Sequence, residues 1–336
     1  MIKIFSLFLC LLLFSACGTR REYYEPTKIE GKLSYDKKLQ SNIIETNLNF
    51  ARLKNNAVLS KDGLIENFTL PKDFTLLKHE DNEFIIADKD GNLKILNADK
   101  DELYSDKFDA AVLSIALSGD DMALVLADNT IILANRSLGI KMSQTLAQAP
   151  AQDSRVAAPI FLDSIIIYPS LDGKLVVVDR TSQRVIRDVV VSSGDFFNNV
   201  IYLNVLDDLM IAATSKKVVV VSPKETFFYD EEIRSVVLQD DKSKEKSIFI
   251  FAKNGNIIKT NLHLNKIKEK KFKFAIYNES SIFNGFLYVF EKTGYLIKSD
   301  LNLEQTQVFR LKGAADEKAF MREGRFYFSN KILNLP

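Results

Sequence analysis

Residues 165–178 read IIIYPSLDGKLVVV, two short apolar runs rich in β-branched residues on either side of Asp172-Gly173. Runs of four such residues without polar interruption are expected where a strand is buried on both faces. Asp-Gly accepts positive φ at both central residues, the requirement of a tight type I′ hairpin. The stretch therefore predicts two neighbouring middle strands of a sheet that is covered on both sides.

The same arrangement recurs along the chain. Asp62-Gly63, Asp90-Gly91, Asp128-Asn129, Asp172-Gly173, Lys216-Lys217, Asn254-Gly255, Thr293-Gly294 and Ser329-Asn330 each separate two apolar runs, at intervals of 28 to 44 residues. Phe84-Ile85-Ile86-Ala87 pairs in this way with Leu93-Lys94-Ile95-Leu96, and Ile248-Phe249-Ile250-Phe251 with Ile257-Ile258-Lys259-Thr260. A strand-built repeat of this length signals the blade of a β-propeller rather than a helical solenoid. The expected fold is all-β, a propeller of about eight four-stranded blades; seven is the alternative, because the short first interval lets the first hairpin belong to the closing blade. Phe326-Tyr327-Phe328 and Ile332-Leu333-Asn334-Leu335 supply one last hairpin. A closed ring leaves no open sheet edge, so a strand within Lys28 to Tyr35 is expected to complete that blade. Helical spacing over residues 37 to 53 is only partial.

Ahead of the repeats stands a secretory signal: Lys3, an apolar run from Ile4 to Phe14, and the small pair Ser15-Ala16. The run is too short for a spanning helix, which needs roughly 20 apolar residues. Phe14-Ser15-Ala16-Cys17 resembles the bacterial lipobox, with Phe14 where Leu is usual. That resemblance implies cleavage before Cys17 and acylation of its thiol, with a palmitate-type chain among the anchors. The expected division is a signal at 1–16, a lipidated cysteine and mobile tether at 17–26, and one propeller domain at 27–336. In the bacterial lipoproteins that this segment resembles, Gly18 rather than Asp after the cysteine implies the outer membrane, facing the periplasm. Cys10 lies inside the signal, so the mature chain keeps no pair for a disulfide.

Charge and chemistry exclude more than they assign. With 45 Lys+Arg against 44 Asp+Glu the chain lacks the basic excess of a nucleic-acid binder. The densest basic cluster, Lys266 to Lys273, alternates with apolar residues and is expected to be the solvated face of an exposed strand. The two histidines, His79 and His263, stand far apart in polar surroundings and read as surface residues. No nucleophile-elbow, zinc-protease or P-loop spacing occurs. Asp88 to Asn92 has its Gly fourth, where an EF-hand needs it sixth. No metal site, cofactor or catalytic residue is expected.

Asp172 to Ile186, DGKLVVVDRTSQRVI, resembles the quinoprotein-type propeller repeat, in which a DGxLxALDxxTGxxxW pattern crosses a blade, with Ile186 at the place of its Trp. A lipobox followed by such repeats resembles the BamB family of outer-membrane assembly lipoproteins. The resemblance implies a non-enzymatic scaffold, a monomer within a complex, that docks on the β-barrel assembly insertase subunit through loops between blades. Ser154-Arg155-Val156-Ala157-Ala158-Pro159 is similar to a partner-contacting loop of that family, with Arg155 as the contacting residue. Gly194-Asp195-Phe196-Phe197 falls at its acidic loop, so Asp195, Phe196 and Phe197 join Arg155 as the candidate partner surface. The alternative is a periplasmic propeller that binds a saccharide, peptidoglycan or another envelope protein.

Replacing Cys17 by Ala is expected to leave the protein unprocessed or unanchored. The check is globomycin treatment of the wild type, which should accumulate the uncleaved precursor.

Overall fold

The runs around Asp172-Gly173 are two middle strands, Ile165–Pro169 and Lys174–Asp179, paired antiparallel from Ile165 opposite Asp179 to Pro169 opposite Leu175. The computed structural model describes residues 22–60, 63–149, 155–240, 245–322 and 324–336. Within them lie eight sheets: blade 1 (43–69), blade 2 (74–107), blade 3 (112–145), blade 4 (160–190), blade 5 (202–230), blade 6 (233–271), blade 7 (277–311) and blade 8 (319–334 with Lys37–Lys38). In blades 1 to 7 the chain passes from a first to a fourth strand in sequence order, and first strands of successive blades lie side by side around the centre. The fold is an eight-bladed β-propeller.

Packing follows from the composition of the middle strands. Ile166, Ile167 and Tyr168 of blade 4 are all buried, so both faces of the sheet are covered. Eight apolar clusters fill the eight junctions between neighbouring blades. Between blades 4 and 5, for instance, Ile167, Leu175 and Val189 meet Ala212, Val219 and Val221. Each buried Val or Ile side chain contributes about 1.5–3 kcal/mol. Polar ties reinforce the seams. The Arg136 guanidinium of blade 3 donates two bonds, of 2.8 and 2.6 Å, to the Glu83 carboxylate of blade 2, and this contact holds the Glu83 pKa below the usual carboxylate range.

The turns between second and third strands differ from expectation. Type I′ geometry needs positive φ at both central residues, yet at Asp172-Gly173 only the glycine has it (φ 91). The reason is a contact from outside the hairpin. In blades 1 to 7 the residue that follows the fourth strand, or ends it, donates its N–H to the carbonyl of the last turn residue at 2.8 to 3.2 Å, as Val191 does to Gly173. That bond draws the backbone over the turn so closely that a Cβ on Gly173 would lie 2.1 Å from the Ser192 carbonyl oxygen. In blade 3 Asn129 takes the position at φ 66, and its side chain reaches Ala147 and Asp172. Asp88 closes the blade 2 turn by accepting from the N–H groups of Asp90 and Asn92, which is a hairpin cap rather than a calcium loop.

Two expectations about the chain ends are corrected. Gly31–Leu33, within the segment expected to close blade 8, instead adds to blade 7 as a fifth strand, parallel to Thr306–Leu311. Blade 8 is completed by Lys37–Lys38, antiparallel to Lys331–Asn334. The short first interval has a simple cause: Gly63 begins the fourth strand of blade 1, whose inner turn is Lys54-Asn55-Asn56, with Asn56 at φ 63. Counted from that turn the spacing is regular, which removes the seven-blade alternative. Residues 37 to 53 hold strands, not helix. Tyr24, assigned to the mobile tether, is 6% exposed, edge-on to Phe272 and Tyr295 between blades 6 and 7. Burial, with Glu291 adding, pushes its hydroxyl pKa up to about 12.

Gly173→Ala is expected to destabilise the fold by about 3 kcal/mol or more, from strain at positive φ and a backbone collision. Gly119→Ala, at φ 59 with nothing within 4 Å of its added Cβ, is expected to cost only about 1 kcal/mol. Urea unfolding of the two variants measures the difference.

Candidate binding face

One end of the ring carries the turns between second and third strands together with the connections from each blade to the next. The candidate residues lie there. Arg155 belongs to the connection from blade 3 to blade 4, and Asp195, Phe196 and Phe197 to the connection from blade 4 to blade 5.

The structure brings the two segments together. The Asn199 amide donates to the Arg155 carbonyl, and the Ala157 N–H donates to the Val200 carbonyl at 2.9 Å. The buried Asn198 side chain accepts from the Gly194 N–H at 3.0 Å and from the Ser192 hydroxyl at 3.1 Å, pinning the base of the loop. From blade 5 the Ser215 hydroxyl donates to the Phe197 carbonyl at 3.0 Å. Held at both ends, the loop presents Phe196 at 57% and Phe197 at 49% exposure. Phe197 does so at φ 55, a conformation uncommon outside glycine and asparagine. Asp195 is exposed and Arg155 half-buried. Asn198 and Asn199, which position the surface, were not singled out in the sequence. An Asn-Asn pair after two aromatics signals a loop, and only its burial marks it as a support.

The other chemical groups read as structural. His79 lies in a strand, not a loop, stacked on Phe84 at 4.5 Å. His263 is exposed, beside Phe227 at 4.7 Å. Lys266–Lys271 is an exposed outermost strand, as expected. Among the described residues no group of three or more His, Cys, Asp or Glu is placed to hold a metal ion. Cys17 and the signal lie outside the described residues, as do Asp62 and Ser154.

The first strands of blades 6, 7 and 8 hold an ionisable cluster. Glu279 accepts from the Met321 N–H at 3.2 Å and lies 3.9 Å from the Arg322 guanidinium, while Arg234 donates to the Tyr277 carbonyl at 3.1 Å. These contacts tie the first strands of blades 6, 7 and 8. Burial raises the Glu279 pKa to about 7, against the opposing pull of Arg322.

The fold and this face define a class: an eight-bladed propeller whose loop-bearing end presents aromatic side chains. Solved structures share the fold. BamB from Moraxella catarrhalis superposes with a TM-score of 0.65 at 15% identity, covering 87% of this chain and 96% of that one. The C-terminal WD40 domain of Sif2 gives 0.66 at 14% (92% and 100%), and the computationally designed Ika8 protein 0.62 at 15% (90% and 98%). At such identities the likeness concerns the fold alone.

In sequence the chain is similar to a different protein. It is 30% identical over 320 residues to the plasminogen-binding protein PgbB of Helicobacter pylori strain J99, across 81% of this chain and 58% of the relative. For PgbB of strain 26695 the identity is 29% over 318 residues (80% and 57%). The chain thus spans less than two thirds of the length of these relatives. No family model matches it. The BamB resemblance therefore holds for the fold, while these sequence relatives are PgbB proteins.

A half-buried carboxyl with a raised pKa favours the folded state when protonated. Its contribution is fully present below about pH 4.5 and is lost as pH rises through about 7. Glu279→Gln is expected to be more stable than the wild type at pH 8, by about 3 kcal/mol, and equal to it near pH 4. Thermal melts of both proteins across this range check the sign.

Proposed function

We propose that this chain is a non-enzymatic, lipid-anchored outer-membrane protein, facing the periplasm, whose propeller binds another protein through the face built from Arg155, Asp195, Phe196 and Phe197. The observation that carries the reading is the pinned loop that exposes two phenylalanines, one of them at φ 55. Backbone strain of this kind costs roughly 1–3 kcal/mol and clusters at functional sites. Aromatic and arginine side chains also dominate the energetics of protein interfaces. The BamB-like fold and the loop around Arg155 favour the β-barrel assembly insertase subunit as partner.

A second reading has a specific observation behind it. The relatives at 29–30% identity are named for binding plasminogen, so a plasminogen-type partner, met from outside the cell, is the competing assignment. Both readings use a protein-binding face, and they differ in the side of the membrane on which it works.

The test is capture by the tagged lipoprotein from detergent-solubilised envelopes, beside binding of purified plasminogen. The wild type is expected to retain the insertase subunit. A Phe196→Ser, Phe197→Ser variant and an Arg155→Glu, Asp195→Lys variant should fold normally and bind more weakly by a factor of roughly thirty or more, as for loss of about 2–5 kcal/mol at an interface. Retention of plasminogen alone would select the second reading. Retention of neither protein would sink both.

A further inference from the structure

The lysine-rich outer strand of blade 6 faces solvent and ends beside the point where the chain leaves the ring toward its N-terminus. Lys266, Lys268 and Lys271 are exposed along the rim, with Ile267 exposed among them. Lys266 pairs with Glu269 at 2.8 Å and Lys268 with Glu304 at 3.6 Å, whereas no ion pair is formed by Lys271 or Lys273 among the described residues. In a chain of nearly balanced charge this is a concentrated local excess.

The strand runs into Phe272, the residue on which Tyr24 packs, and then into a tight turn. The Ala275 N–H bonds the Phe272 carbonyl at 3.0 Å, with Phe274 at the third position and φ 64. That position of a type II turn normally takes Gly or Asn. Phe274 instead holds its ring 39% exposed, under the Lys273 ammonium at 4.6 Å. Tyr23, next to the wedged Tyr24, is exposed as well. Aromatic rings and lysines in one patch match the interface of a bilayer, where rings settle at headgroup depth and cations meet anionic lipid.

Chain length ties this patch to a membrane. Seven residue steps separate Cys17 from Tyr24, and even fully extended they span at most about 25 Å. Tyr24 is wedged between blades 6 and 7, so an anchor at Cys17 cannot carry this rim far from the lipid surface. We propose that the basic rim of blade 6, with Phe274 and Tyr23, is the membrane-facing edge of the propeller and rests on anionic headgroups. The inference relies on the lipid anchor of the proposed function. It leaves the blade 4–5 loop two blades round the ring, open to a protein partner.

The test uses the full lipidated protein, reconstituted into zwitterionic vesicles with and without an anionic lipid. Ile267→Cys and Leu138→Cys variants each carry one fluorophore, because the acylated Cys17 thiol does not react. Quenching by headgroup-nitroxide lipid is expected to be several-fold greater at position 267 than at 138 on blade 3. It should fall in high salt, and in a Lys271→Glu, Lys273→Glu background, while the protein still floats with the vesicles. Equal quenching at both positions in floating protein would overturn the rim contact alone. Protein that does not float would overturn the anchor, and the proposal with it.

Discussion

A sheet that is apolar on both faces is stable only between two others, and this single constraint accounts for most of the molecule. Ile85 of blade 2 packs with Leu124 of blade 3, and Val125 of blade 3 with Ile166 of blade 4, so every blade is at once a core and a lid for its neighbours. An open row would expose two large apolar faces at its ends, and bending the row into a ring removes both. The eight junctions are therefore interdependent, and the contact between blades 8 and 1, where Phe320 and Tyr327 meet Leu53 and Leu59, supports all the others. Polar seam contacts such as Arg136 with Glu83 set register between blades that apolar burial alone would let slide.

The repeat was legible because middle strands must be continuous and apolar, and because a glycine under a crossing backbone cannot be replaced cheaply. Ile165 to Val178 carries both signals. Other elements escaped for equally physical reasons. Lys37-Lys38 completes blade 8 through backbone bonds alone, and two lysines give no strand pattern. The inner turn of blade 1 reaches positive φ at Asn56 without a glycine and follows a strand of only three residues, Ala51–Leu53. Tyr24 sits beside Tyr23 in an otherwise polar stretch, so nothing in its local pattern distinguishes a wedge from a tether.

The candidate face was legible in part. Phe196 and Phe197 are conspicuous in a segment without strand periodicity, and their exposure follows from that. Their rigidity does not, because it comes from Asn198, which ties the loop to itself once it is buried, and from Asn199 and Ser215, whose hydrogen bonds cross between segments distant in sequence. A face built this way is preorganised: the cost of ordering the loop is met by the fold, and less of it remains to oppose binding.

The pairing of Lys37–Lys38 with Lys331–Asn334 also has a consequence in time. These partners belong to the first and last parts of the ring's sequence, and contacts so distant in sequence form slowly. Until the last hairpin emerges, both ends of the growing row stay sticky and open to chaperones and proteases. Ring closure thus acts as a proofreading step on length: a chain that stops short by even one strand keeps its edges exposed and is recognisable as unfinished.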